Sequence, residues 1–98
     1  MYNDEHVVMK TVYMPRVIEA KYLNNYHIHI VFSNGKEGNL DLRPYVGQGV
    51  FEPLTNLDYF KKFFVDGWTI SWPNGADIAP ETLYELANTA SKMVNDNP

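Results

Sequence analysis

His27 and His29 stand two apart in the run Tyr26-His27-Ile28-His29-Ile30-Val31-Phe32. On an extended strand such residues point to the same side, roughly 6–7 Å apart. If Glu19 and Asp41 lie on neighbouring strands, the four side chains supply the donor types that hold a divalent cation such as zinc. They serve equally well as cross-strand charge pairs on a solvated sheet face, because no third His or Cys stands nearby. The plainer use is preferred.

The segment Trp72 to Glu81 is the second candidate. Asn74, Asp77 and Glu81 can line a polar pocket beside Trp72. The same residues also read as turn and helix-start chemistry. Pro73-Asn74-Gly75 suits a turn, Asp77 is a carboxylate ahead of a helix, and Pro80-Glu81 opens one. The third candidate is the aromatic set around Phe51, Tyr59, Phe60, Phe63, Phe64, Trp68 and Trp72. A chain of 98 residues has difficulty burying all of them. Part of the set therefore faces a partner or a second copy, and Phe51, Tyr59, Trp72, Asn74 and Asp77 are the expected contacts.

Alternation and turn chemistry indicate how these residues are positioned. Val17–Tyr22, Tyr26–Phe32 and Lys36–Leu42 read as a three-stranded meander. At Ser33-Asn34-Gly35 a two-residue loop sets Ile30 opposite Asn39, which spoils the apolar face. A three-residue loop with Gly35 left-handed sets Ile28 opposite Leu40 and keeps that face intact. At Leu23-Asn24-Asn25 a three-residue loop sets Ala20 opposite Ile28, Ile18 opposite Ile30 and Glu19 opposite His29. Ile18, Ala20, Tyr22, Tyr26, Ile28, Ile30, Phe32, Leu40 and Leu42 then form the core face.

Pro44, Gly47, Gly49 and Pro53 break up the stretch after this sheet. Thr55 is the expected cap of a short helix carrying Leu57 and Phe60. Asp66-Gly67 predicts a two-residue hairpin turn with Val65, Trp68, Ile70 and Trp72 on one face. Pro80 opens the last helix, whose stripe Leu83, Leu86, Ala87, Ala90, Val94 must cover the sheet. The expected fold is α+β: a small two-layer sandwich of an antiparallel three-stranded meander and a second hairpin, covered by a C-terminal helix. Residues 1–14 read as a leader arm, and 15–98 as the single domain.

Bulk composition bears on function. Eight basic residues against twelve acidic give a net charge of −4, which argues against autonomous nucleic-acid binding. The absence of cysteine excludes disulfides, thiolate metal sites and a thiol nucleophile. No apolar run approaches the length of a membrane span. No Gly-x-Ser-x-Gly or phosphate-cradling loop occurs. The chain reads as a cytoplasmic non-enzyme without a cofactor.

The runs Phe51-Glu52-Pro53-Leu54 and Trp72-Pro73-Asn74-Gly75-Ala76-Asp77 resemble the bacterial domain of unknown function 2442. Phe32-Ser33-Asn34-Gly35 followed by Leu40-Asp41-Leu42 resembles it too, so the likeness spans Pro15 to Tyr84. The resemblance implies a small α+β fold without an assigned activity. Some members are fused to a helix-turn-helix domain, for which fourteen residues after Tyr84 leave no room. Others look like partners of a neighbouring small protein in a toxin–antitoxin-like arrangement. The expected function is a protein–protein interaction module, an antitoxin-like or regulatory partner of a small protein. A homodimer joined through residues 1–14 or a strand edge is a further form of association. The alternative is a metal or small-molecule site at Glu19, His27, His29 and Asp41.

Overall fold

A computed structural model describes residues 15–96, with side chains through residue 89. The leader arm lies outside the described residues, as do the side chains of Ala90 and Val94. Strands β1 (Val17–Asn24), β2 (His27–Phe32) and β3 (Glu37–Asp41) form an antiparallel meander in that spatial order. Two 3-10 segments, Arg43–Tyr45 and Gly49–Thr55, lead into the single turn α1 (Leu57–Phe60). Strands β4 (Phe64–Val65) and β5 (Ile70–Ser71) pair as a second sheet, and α2 (Pro80–Asp96) closes the chain. This is the α+β meander, hairpin and C-terminal helix that the sequence leads one to expect.

The β2–β3 hairpin has the expected register. Ile28 faces Leu40 and His29 faces Asn39. Gly35 takes φ +92°, a left-handed conformation that a Cβ would strain. Ile28, Ile30, Phe32, Leu40 and Leu42 are all buried on one face.

The β1–β2 hairpin differs from expectation by two residues. Asn25 is left-handed, with φ +46°, as a short polar side chain allows. The turn itself is Asn25-Tyr26, and the strands shift register around Leu23, between the pairs Tyr22–Ile28 and Asn24–His27. Ala20 therefore faces Ile30, Lys21 faces His29 and Glu19 faces Val31. A slip of two residues preserves which side chains share a face, so apolar alternation alone is blind to it. A second shift, between Val17 and Glu19, turns Val17 into the core and leaves Ile18 exposed. That reverses the sequence expectation for this pair.

Aromatic rings fill the β1 end of the core. Phe60 meets Tyr22, Tyr26 and Phe63 edge to face and lies tilted against Trp72. Asn56, not Thr55, caps α1, its side-chain oxygen accepting from the Asp58 N–H at 2.8 Å. The Thr55 hydroxyl instead donates to the Glu52 carbonyl. On the β3 side the contact is small against small. A methyl group built on Gly38 would lie 3.6 Å from both Cα and Cβ of Ala87, so α2 rests almost on the strand backbone. Leu83 and Ala87 supply the buried stripe there, with Leu86 half-buried.

The β4–β5 turn also departs from expectation. Val65 faces Ile70, so the connection is the four residues Asp66 to Thr69. The Asp66 N–H donates to the Thr69 carbonyl, and the Asp66 carboxylate accepts from the Ser71 hydroxyl at 2.5 Å. That hydroxyl holds the carboxyl below its ordinary pKa, opposed by weaker desolvation. The carboxylate thus organises a longer loop than a bare Asp-Gly turn. Ile70 and Trp72 point inward together, whereas Trp68, expected on the same face, is carried out to the surface.

Candidate functional site

The register gathers the polar face of the meander into two separate groups, His29 with Asn39 and Glu37, and His27 with Asp41. His29 Nδ1 lies 2.5 Å from the Asn39 side-chain oxygen, and Nε2 lies 2.8 Å from the Glu37 carboxylate. Two acceptors on one ring favour its doubly protonated form. The His29 pKa is raised, first by the Asn39 hydrogen bond and next by that of Glu37, with burial opposing. His27 stands 3.8 Å from Asp41, its Nδ1 enclosed without a hydrogen-bond partner. Glu19, expected opposite His29, sits opposite Val31. Among the described residues no three His, Cys, Asp or Glu side chains gather as a metal-holding group. A metal also needs a free ring lone pair, and both His29 nitrogens already face acceptors.

The Trp72 segment performs the structural work its residues suggested. Trp72 is 1% exposed, and its indole N–H donates to the Phe60 carbonyl at 2.8 Å. It is core rather than a partner contact, because β5 runs beneath the aromatic cluster. The Asn74 side chain donates to the Val50 carbonyl and accepts from the Ala76 N–H, clamping the turn to the second 3-10 segment. Asp77 forms a backbone bridge to Ser71, and its side chain is exposed. Phe51 and Tyr59 are half-buried against the core.

Phe51 also lines a shallow groove of about 500 Å³ with Pro44, Tyr45, Gln48, Gly49 and Val50. A second groove of about 290 Å³ shares Tyr45 and continues along Glu81, Thr82, Glu85 and Leu86 of α2. Of the neighbouring Lys61 and Lys62, Lys61 is drawn over the Tyr22 ring at 5.0 Å.

The exposed aromatic surface lies elsewhere. Trp68 is 59% exposed, Ile18 51%, Phe64 47% and Val65 37%. These residues belong to two segments joined directly, since the Val17 N–H donates to the Trp68 carbonyl at 2.9 Å. The sequence pattern placed Ile18 on the core face and set Val65 and Trp68 on one face with Ile70 and Trp72. The signals it lacked were the shift at Ile18 and the four-residue loop, and neither changes the apolar pattern.

Among the described residues no helix is long and apolar enough to cross a membrane. No curated protein and no solved structure matches the chain. The turn built on Trp72-Pro73-Asn74-Gly75 and the hairpin at Gly35 both lie within residues 17–89, which match a family model described as "Protein of unknown function (DUF2442)". That match spans most of the 98-residue chain, which therefore belongs to this family.

Proposed function

We propose that the chain is a non-enzymatic protein–protein interaction module acting in the bacterial cytoplasm. Its contact surface is the apolar group Ile18, Phe64, Val65 and Trp68. The carrying observation is the exposure of that indole on a loop fixed by the Asp66 carboxylate, with three further large apolar side chains exposed on the strand before it and the strand bonded to it. Apolar residues scattered singly over a surface need no explanation. Here Trp68 and Ile18 stand on directly bonded segments, with Phe64 and Val65 exposed on the two sides of the strand that leads into the Trp68 loop, and this concentration fits a docking surface. A rigid loop presents Trp at little entropic cost, and Trp is a favoured binding hot spot. The net charge of −4 suits a small basic protein, in the manner of an antitoxin-like partner.

The test is capture from native-host lysate with tagged full-length protein beside Trp68→Ser and Ile18→Ser variants. One small protein at equal stoichiometry is expected with the unaltered chain. Loss of a hot-spot side chain worth about 2 kcal/mol weakens binding roughly thirtyfold, so Trp68→Ser should release it. Retention of the partner by both variants, or a doubled mass in light scattering with no second protein, would overturn this reading.

A further inference from the structure

The outer edge of β3 carries backbone groups that no other described segment uses. β3 is the last strand in the sheet order. The Phe32 N–H donates to the Lys36 carbonyl at 2.8 Å, and the Leu42 N–H to the Tyr26 carbonyl at 2.9 Å. These two bonds fix the phase of the β2–β3 ladder. Bonded and non-bonded pairs alternate along an antiparallel ladder, so Lys36, Gly38, Leu40 and Leu42 bond inward to β2. The N–H and C=O groups of Glu37, Asn39 and Asp41 point outward. Among the described residues, no backbone bond from another segment reaches them.

We propose that this edge accepts an extended basic segment of a partner protein as a fourth, antiparallel strand. The surface lies across the sheet from Trp68, so it stands or falls separately from the reading above. Strand addition of this kind draws affinity from main-chain bonds and specificity from alternate side chains. Here the three outward residues also set the side-chain code. Glu37 and Asp41 flank Asn39 on the polar face, both exposed; a histidine stands against each and the Arg43 N–H donates to Asp41, but among the described residues no Lys or Arg side chain pairs with either. The incoming residues opposite them project to that same face, where Lys or Arg finds a carboxylate. The alternate residues project toward α2, which runs beside the strand from Ala87 at Gly38 to the groove at Tyr45. Glu81 and Glu85 line that groove with Leu86, so this side takes an apolar or cationic residue.

Charge also rules against a second copy as occupant. Antiparallel self-pairing centred on Asn39 would set Glu37 opposite Asp41 twice. Like charges directly opposite are destabilising, and charged edges are a usual guard against self-association. A basic strand converts both repulsions into attractions.

The experiment uses the isotope-labelled full chain and a seven-residue peptide, acetyl-Thr-Lys-Val-Thr-Val-Lys-Thr-amide, followed by backbone amide NMR. At saturation the Glu37, Asn39 and Asp41 amides should shift, and their hydrogen exchange should slow by about tenfold. The peptide with Glu in place of both Lys should leave them unchanged, as should the Lys peptide N-methylated on its bonding edge. Salt near ~1 M, where the Debye length falls to about 3 Å, should weaken the response. The Glu37→Lys, Asp41→Lys double variant should exchange its preference for the acidic peptide. Three results overturn the proposal: no response of those amides to millimolar Lys peptide, an equal response to the acidic or N-methylated peptide, or protection of the three amides in peptide-free protein together with a dimeric mass. The peptide arms need no protein variant, so misfolding of the double variant would not rescue the proposal.

Discussion

The two sides of the meander are finished in different ways. On the β1 side the strand shifts register twice, bonds to the Trp68 carbonyl and leans on a cluster of aromatic rings around Phe60. On the β3 side the strand is regular, no other described segment bonds to its outer backbone, and the helix touches it through Gly38 and Ala87. Large rings tolerate an irregular strand because they fill uneven space. A helix lying close on a strand needs a flat, regular one with small residues at the crossing. One side carries exposed apolar residues and a backbone bond to the Trp68 loop, while the other is acidic and, among the described residues, without such a bond. The difference gives the small domain two edges of unlike chemistry.

Substitutions can break or sharpen this contrast. Trp72→Ala should be the most damaging, because it empties the aromatic side and orphans the Phe60 carbonyl. A loss of about 3–5 kcal/mol is expected in urea unfolding. An unfolding midpoint close to that of the unaltered chain would mean the cluster is not the keystone of that side. Ala87→Leu attacks the opposite side by overfilling the crossing at Gly38, at about 1–3 kcal/mol. Gly38→Ala is the gentle counterpart. The added methyl meets Ala87 at ordinary contact distance, so a change within about 1 kcal/mol of neutral is expected, read from the same unfolding curves.

Asp66→Ala should cost about 1 kcal/mol through the lost Ser71 and Thr69 bonds. It should also release Trp68, visible as faster amide exchange across residues 66–69. The Asp66 carboxyl is lowered in the fold, so its contribution is present above the unfolded-state value of 3.8 and is lost as pH falls through the folded one. His29 has the opposite sign. Its pKa is raised from 6.5, so its contribution is full below that pH and is lost as pH rises through the folded value. His29→Gln should therefore be less stable than the unaltered chain at pH 5 and match it at pH 9. The gap should be under about 1 kcal/mol because Glu37 is exposed. A gap that grows with pH would contradict the hydrogen-bond pattern.

Turn chemistry decided what was legible in the sequence. Gly35 tolerates one backbone conformation that few other residues do, and the β2–β3 register followed from it. Pro80 likewise marked the start of α2. At Leu23 and Ile18 the strand admits a register shift that no residue type announces, and a slip by two leaves alternation unchanged. Asp66-Gly67 suited a tight turn, yet the Ser71 hydroxyl five residues on recruited the Asp66 carboxylate into a longer loop. These departures moved Glu19 away from His29 and Trp68 off the face it was expected to share with Ile70 and Trp72. They shifted the candidate surface from the Trp72 segment to the loop before it. The structural reading of Asn74 held because each of its hydrogen bonds is local turn chemistry or a clamp to the neighbouring segment.

The chain carries two tryptophans in opposite surroundings. Trp72 is enclosed and donates its indole proton to a fixed carbonyl, while Trp68 stands in solvent. Indole emission moves to shorter wavelength in apolar surroundings, so the native spectrum is the sum of a blue and a red component. A soluble quencher such as iodide should remove only the red one. Unfolding of the domain reddens the blue component, and covering the Trp68 loop protects the red one. The protein thus carries separate optical reporters of its folding and of events at its surface, without any added label.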